Sequence, residues 1–513
     1  MATLRFAAID VGSYEPEMVI YDISEKKGVR KVNHVRKVLS LGRESYRTKK
    51  LSAKTIDELC DILMGFREIM DEYGVEECRA YATSAIREAT NRDIILNRIR
   101  IRTGFDIQVL SNSEQRYMFY KALAMRDNRF EELIREGTAI VDVGFGSLQI
   151  SLFDQGGLVT TQNIRLGALR VREMLANVEG NNRSVNRLIE ELVDNDIATF
   201  RKNFLGDVNI RHVICVGNNI LYLVKRAIDE EYDGVEMISA VVFNRFYQEL
   251  MKRSPIELAQ ALDIPEDYAT LMIPGCMVYK RVLDITDAEN LWAPNVCLCD
   301  GAAADFARSK HCITLHHDFE NDIIQNAYVI GARYSADQAH TRCLDAMACV
   351  IFDSMKKIHG MSKRDRLLLR IACILHDVGK YVSMGVSGDC AYYIIMSTEV
   401  IGLSHLEREI VANVVRYNTT AFGMAPTPVS NPESEDMIRI QKLTAMLRVV
   451  NAMDRSHKQK FRNVTAKLKE KELYLITDST ADISLERGLF REKADFFEQV
   501  FGIRPILKKK GND

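Results

Sequence analysis

Ala8-Ile9-Asp10-Val11-Gly12-Ser13 and Ile140-Val141-Asp142-Val143-Gly144 are the two stretches that decide how this chain folds. Each carries an aspartate in an apolar run, a glycine two residues later, and then a second apolar or alternating run. That second run is Met18-Val19-Ile20-Tyr21 in one copy and Leu148-Gln149-Ile150-Ser151-Leu152-Phe153 in the other. Asp22 follows Asp10 at the same offset as Asp154 follows Asp142. The pattern predicts a β-hairpin with a glycine turn, made twice. Glycine lets backbone N–H groups approach phosphate oxygens, and an aspartate beside it can hold a divalent cation or order a water. Either turn alone reads equally as a tight turn after a strand. Their duplication points to two turns facing one another across a phosphate-binding cleft.

Between the copies a helical pattern runs from Thr55 to Tyr73, a β-like run covers Arg79-Ala80-Tyr81-Ala82-Thr83, and a second helical pattern covers roughly Asn91 to Arg102. Strands interleaved with helices predict an α/β sandwich built twice. The second copy continues through an amphipathic stretch at about Arg183 to Phe204, a buried strand at 212–217, and a further expected strand at Asn295-Val296-Cys297-Leu298-Cys299. From about Gln325 to Lys460 apolar residues recur at helical spacing, as at Leu367, Leu368, Ile371, Ala372, Ile374 and Leu375, which predicts an all-α domain. Alternation from Val464 predicts a strand, followed by a helix around Ser484 to Phe501 and a basic tail at Lys508-Lys509-Lys510. The expected domains are therefore two α/β lobes at 1–125 and 126–312, a helical domain at 313–460, and a small α+β cap at 461–513.

A chain of 513 residues is long enough for three or four such units. With 69 Lys+Arg against 71 Asp+Glu it has no global basic field for nucleic acid or an anionic membrane, so neither is an expected partner. Its 47% hydrophobic content and 9 prolines describe a globular protein rather than a disordered one. The eleven cysteines include no CxxC pair, and they read as free, mostly buried thiols of a reducing compartment; Cys297 and Cys299 read as one face of a strand. The chain opens MATLRFAAIDVGS with no basic and then apolar leader, and no apolar run approaches about 18 residues, so a soluble cytoplasmic protein is expected.

Nine stretches carry a resemblance to a known family: FAAIDVGS at 6–13, YATSAIREATNRD at 81–93, VLSNSEQRYMFYKAL at 109–123, AIVDVGFGSLQI at 139–150, NIRLGALR at 163–170, CVGNN at 215–219, CDGAAAD at 299–305, HDVGKYVS at 376–383 and LRVVNAMDRSHKQK at 447–460. In this order they resemble the Ppx/GppA family of exopolyphosphatases and guanosine pentaphosphate phosphohydrolases. The resemblance implies duplicated actin-like (ribonuclease H-like) ATPase-type lobes. Their cleft hydrolyses terminal phosphoanhydrides of polyphosphate or guanosine pentaphosphate with Mg²⁺, and longer members add an all-α HD-type domain. It is compatible with a homodimer. Carried over by matching position, it implies Asp10 and Asp142 as Mg²⁺ ligands, and Gly12, Ser13, Arg87, Gly144, Gly146, Ser147, Gly217 and Asn218 as phosphate contacts. A carboxylate that orients or deprotonates water is expected in the run Ser111-Asn112-Ser113-Glu114-Gln115, with no covalent step.

The departures from the family pattern are concentrated in the same places. The expected base of the glutamate pair is Gln115, and an amide cannot accept that proton. Glu114 stands one position away, about 100° around a helix. A second family carboxylate is Gln149. Phe145 stands where a glycine lets phosphate approach, and Gly12-Ser13 is followed by Tyr14-Glu15-Pro16-Glu17, which brings two negative charges toward the phosphate site. Ser40 replaces an arginine, and a glycine-rich loop is reduced to Gly217-Asn218-Asn219. Loss of a positioned general base lowers a rate by about 10²–10⁴-fold, so the reading is a weakened hydrolase, with a binding and regulatory protein as the alternative.

The helical half offers another site. His340, the pair His376-Asp377 and the later Asp454 resemble the ligand set of HD metal phosphohydrolases, and a structural His-Asp pair is the other reading. Asn451 stands where many such proteins carry aspartate, and Ser387-Gly388-Asp389-Cys390 stands where members often carry a histidine cluster. His311, His316 and His317 read as solvated loop residues, and Arg30-Lys31, Arg36-Lys37 and Lys49-Lys50 as solvated faces.

Overall fold

A computed structural model describes residues 3–510 apart from 128, 176–181, 218–236, 423–434 and 462. It divides into two compact units, Met1–His317 and Asp318–Asp513. In the first unit β1 (Leu4–Val11), β2 (Pro16–Ser24) and β3 (Gly28–Arg36) form an antiparallel meander. On its other side β1 pairs in parallel with β4 (Glu77–Ala82), which pairs in parallel with β5 (Ile107–Val109). A second sheet repeats the plan. There β6 (Thr138–Val143), β7 (Leu148–Asp154) and β8 (Gly157–Ile164) form the meander, and β9 (His212–Val216) joins β6 in parallel. Short strands β10 (Met237–Ser239) and β11 (Asn290–Trp292) complete the second sheet, in the order β10-β11-β9-β6-β7-β8.

Parallel neighbours need long crossovers, and helices supply them: Ala53–Glu72 between β3 and β4, and Arg92–Thr103 between β4 and β5. Ser52 caps the first by accepting the Thr55 N–H, and its Ile56, Leu59, Leu63 and Phe66 stripe packs on Ile9, Val11 and Ile20 of the first sheet. The other face of β1 is also covered. Helix Leu298–Ser309 stacks Phe306 on Phe6 at 4.3 Å and packs against helix Asn112–Arg126, so a segment that follows the second sheet in sequence returns to the first.

That helix corrects one expectation. Asn295 to Cys299 is not a strand: Asn295 is left-handed at φ 55°, Cys297 is a helix N-cap and Leu298 begins the helix. Asp300 at the third helical position accepts the Cys297 N–H at 2.9 Å, and the alanines behind it favour helix. A short apolar run cannot tell a strand from a buried helix by periodicity alone. His317 is also not solvated: its side chain is 6% exposed, Nδ1 lies 2.6 Å from Glu131 Oε1, and Phe130 meets the ring edge-on.

The second unit is helical through Phe319–Arg333, Gln338–Ser354, Lys363–Leu375, Ser387–Ser397, His405–Thr419 and Glu435–Met453. The apolar stripe Leu367, Leu368, Ile371, Ala372, Ile374 and Leu375 is buried in full. A three-stranded sheet follows, β12 (Val464–Lys469), β13 (Glu472–Thr477) and β14 (Arg504–Lys509), with helix Ser484–Phe501 crossing between the last two. All eleven cysteines are free thiols. Among the described residues no helix is long and apolar enough to cross a membrane.

Two glycines test the packing. A Cβ on Gly301 would lie 2.1 Å from the Met118 carbonyl oxygen of the facing helix, whereas one on Gly65, inside helix Ala53–Glu72, meets nothing within 4 Å. Gly301→Ala should lower the unfolding midpoint in urea by the equivalent of about 1–3 kcal/mol. Gly65→Ala should raise it by about 0.5–1 kcal/mol.

Candidate functional site

The two hairpins superpose in register. Asp10 pairs with Glu17 and Val11 with Pro16, while Asp142 pairs with Gln149 and Val143 with Leu148. Each connecting loop has four residues, Gly12 to Glu15 and Gly144 to Ser147, and Gly144 N–H donates to Ser147 O at 2.9 Å to close the second. Glu17 is therefore the counterpart of Gln149 in the first copy. From the sequence it is one of two negative charges near the phosphate site, and the shared internal offset of seven residues is the signal that matches it to Gln149.

A cavity of about 80 Å³ lies between these turns. Asp10, Gly12, Ser13, Gln115, Asp142, Gly144, Gly146, Ser147 and Gly217 line it, as expected of site residues, and so do Glu15, Glu17, Arg36, Ser84, Phe119 and Cys297. Gln115 Nε2 donates to Asp142 Oδ2 at 3.5 Å. Gly217 sits at φ 82°, and a Cβ there would stand 2.3 Å from Asp142 Oδ1, so only glycine lets this loop close on the carboxylate.

Three expected residues are placed elsewhere. Glu114 is the third residue of a capping box, its Oε2 accepting the Ser111 N–H at 2.8 Å, so it serves the helix end rather than the cavity. Arg87 donates to Leu110 O at 2.5 Å and to Asn112 Oδ1, so its fork is occupied by the loop before that helix and by the helix's first residue. Gln149 is 1% exposed, is absent from the cavity wall, and among the described residues neither amide atom is hydrogen-bonded. Asn218 lies outside the described residues. Arg36, expected on a solvated face, instead lines the cavity and donates from Nε to Glu17 Oε2 at 3.2 Å.

The electrostatics follow from burying carboxyls together. Burial, with Glu17, Asp142 and Glu15 nearby, pushes Asp10 well above the ordinary carboxylate range against the opposing field of Arg87. Burial lifts Asp142 to about 7 against Arg116, and lifts Glu15 to about 6. Glu17 moves the other way: burial is outweighed by the hydrogen bond with His34 at 2.9 Å and by Arg36. Asp10 Oδ1 is buried with no hydrogen-bond partner among the described residues, an acceptor of the kind a divalent cation satisfies. The Asp10 and Asp142 carboxyls therefore fit a cation such as Mg²⁺.

The departures at the turns pack on each other. Tyr14 of the first loop meets Phe145 of the second with ring centroids 4.8 Å apart, and Tyr268 joins at 5.8 and 6.3 Å. Beside them Ser13 Oγ, Tyr46 Oη and Ser84 Oγ form a ring of hydroxyls at 2.6, 2.8 and 2.9 Å. Gly146 abuts this ring; a Cβ there would lie 2.0 Å from Tyr46 Oη. Arg170 ties the turn down, donating to Gly146 O at 2.6 Å with its guanidinium 3.9 Å from the Tyr46 ring centroid.

In the second unit His340, His376 and Asp377 converge, one donor atom of each lying within 4.8 Å of the others. His340 Nε2 and His376 Nε2 are 3.2 Å apart, and His376 Nε2 is 3.2 Å from Asp377 Oδ1. Asp454 does not join them. It is fully buried behind His340, 2.7 Å from Nδ1, and its other oxygen accepts the Gln459 N–H, so it orients the imidazole as an outer carboxylate does in metal sites. His457, which no spacing in the sequence singles out, stacks on His340 at 3.6 Å and faces Asp337 Oδ2 at 3.3 Å. Asp389 of the replaced histidine cluster pairs with Arg416 at 2.6 Å.

The Ppx/GppA phosphatase family matches residues 19–308, and domain III of that family matches 325–492. A guanosine-5'-triphosphate,3'-diphosphate pyrophosphatase of Photobacterium profundum is 18% identical over 424 residues, 80% of this chain and 80% of the relative. A bifunctional 3-dehydroquinate synthase/phosphatase of Fusobacterium nucleatum is 24% identical over 173 residues, and the match spans 33% of this chain and only 26% of that protein. A solved exopolyphosphatase of Cytophaga hutchinsonii shares the fold with a TM-score of 0.54 at 17% identity, over 60% of this chain and 98% of the other.

A carboxyl whose pKa is about 7 in the folded state and 3.8 otherwise gains a proton on folding, so its cost appears as pH rises from about 4 to about 7 and is complete above that range. Asp142→Asn should therefore raise the urea midpoint at pH 8 by the equivalent of up to about 4 kcal/mol and leave it unchanged at pH 4.

Proposed function

This chain belongs to the Ppx/GppA phosphatase family, and from that membership we propose that it is a weakened phosphoanhydride hydrolase acting on polyphosphate or guanosine pentaphosphate. In this reading the two sheets of the first unit are actin-like lobes, the helices at 313–460 an HD-type domain, and 461–513 a cap. Backbone N–H groups of Gly12 and Gly146, with the hydroxyl of Ser147, grip the terminal phosphate, while the Gly144 N–H and the Ser13 hydroxyl hold the turns in shape. Asp10 and Asp142 hold Mg²⁺, which when bound neutralises charge on the phosphoryl oxygens. Gln115 stands where a base is needed. Its amide can hold a water by hydrogen bonds but takes no proton, so the attacking water lacks the general base that would speed it.

The observation that carries this reading is Gln115 Nε2 at 3.5 Å from Asp142 Oδ2 in the cavity wall, an amide beside a carboxyl pushed up to about 7. A second reading rests on the helical unit. His376 Nδ1 is engaged with Cys373 O at 2.8 Å and His340 Nδ1 with Asp454, so two ring nitrogens face each other at 3.2 Å with both outer nitrogens already held. That arrangement suits a divalent cation shared with Asp377, and with it a metal-dependent phosphohydrolase.

Phosphate release from polyphosphate and from guanosine pentaphosphate with Mg²⁺ tests both. The natural chain should be slow, and Gln115→Glu should raise release by about 10²–10⁴-fold. Adding Gln149→Glu should give no further gain, because that position is outside the cavity wall. Fast turnover by the natural chain, unchanged in Gln115→Glu, overturns the proposal. Release abolished by His376→Ala transfers the chemistry to the helical unit.

A further inference from the structure

At the cavity wall formed by the start of β2 and the N-terminus of helix Leu298–Ser309, three donors of soft and hard character meet. The Sγ atoms of Cys297 and Cys299 and a carboxylate oxygen of Glu17 all lie within 4.8 Å of one another. Ligands around one Zn²⁺ ion, bound at about 2.0–2.3 Å, are separated by roughly 3.3–3.8 Å. The three donors therefore close on one ion with small side-chain shifts. We propose that Glu17, Cys297 and Cys299 form a binding site for a borderline-soft divalent cation of the Zn²⁺ class, with its fourth coordination position open to the cavity.

The surroundings are built for it. Cys297 is the helix N-cap and its sulfur accepts the Asp300 N–H, so both thiolates would sit at the positive end of a twelve-residue helix. Glu17 is oriented from outside: His34 Nε2 at 2.9 Å and Arg36 Nε at 3.2 Å both hold Oε2, and among the described residues no hydrogen bond engages Oε1. Cys299 donates to Ala8 O at 3.4 Å and is also hydrogen-bonded to the Cys297 sulfur. Lys31, the nearby amine, is committed to Asp300 at 3.3 Å. Glu17 and Cys297 both line the cavity, so an ion held by the three donors faces it on the remaining side and takes a water or an anionic ligand there. Two sulfurs set this site apart from Asp10 and Asp142, which offer oxygen alone and suit a harder ion.

Titration of the full-length reduced protein with Cd²⁺ tests the site through the ultraviolet thiolate-to-cadmium charge-transfer band. One equivalent should saturate the band, which should be lost in Cys297→Ser and in Cys299→Ser and kept when the half-buried Cys343 and Cys390 are both replaced by serine. His34→Gln should keep the band and weaken binding about 10–100-fold, the usual effect of removing an outer partner. Should the serine variants fold poorly, iodoacetamide alkylation of the natural chain read by mass spectrometry gives the same answer, because Cd²⁺ should protect Cys297. Absence of the band, its persistence in both serine variants, or equal alkylation of Cys297 with and without Cd²⁺ would each overturn the proposal. None of these readouts depends on phosphate release, so they stand apart from the outcome of the hydrolysis assay.

Discussion

Two aspartates at the ends of paired hairpins, Asp142 buried and Asp10 with a buried Oδ1, constrain the rest of the first unit. A carboxylate taken out of water must be met by donors, by a cation or by a proton, and each choice dictates neighbours. Around Asp142 the neighbours are the Gln115 amide, the backbone of Gly217 and the field of Arg116. Around Asp10 they are mostly further carboxyls. The glycines follow from the same demand, because backbone can approach a carboxylate as closely as Gly217 does only where no Cβ intervenes.

The residues that depart from the family pattern act as a set. Tyr14 and Phe145 come from different hairpins, yet they pack on one another and on Tyr268, replacing two open turns by an aromatic cluster. The Ser13, Tyr46 and Ser84 hydroxyls satisfy each other beside Gly146, and Arg170 holds that turn from behind. What is left open is about 80 Å³, room for on the order of five waters. A wall with this much mutual satisfaction has few donors to spare for a large polyanion. It suits a site that receives one terminal group, and the carboxylates lining it call for a cation.

The helical unit solves a similar problem by other means. His340, His376 and Asp454 are buried together, and the arrangement is tolerable because the Asp454 carboxylate and the Cys373 carbonyl hold the outer nitrogens. Burial pushes His376 down to about 4 even with Asp377 beside it, so the imidazole is neutral near pH 7 and offers a lone pair rather than a charge. The three-stranded sheet that ends the chain buries Leu473 and Leu475 on one face and leaves lysines on β12 exposed, the alternation expected of a sheet with one wet side.

Local pattern carried much of this. The duplicated aspartate and glycine offset, the apolar period through Leu367 to Leu375, and the alternation after Val464 are properties of neighbouring residues, and period and turn chemistry act over a few residues at a time. The Gln115 departure was legible for the same reason, since an amide cannot do a base's work wherever it lies. What only the tertiary structure decided were the partnerships between distant segments. Glu114 went to a helix cap, Arg87 to Leu110 and Asn112, Asp454 to the rear of His340, and Arg36 to the cavity. Cys297 and Cys299, read as a strand face, became the start of a helix beside Glu17. Side chains with several possible partners take the one that packing brings within about 3 Å, and no spacing along the chain specifies that distance.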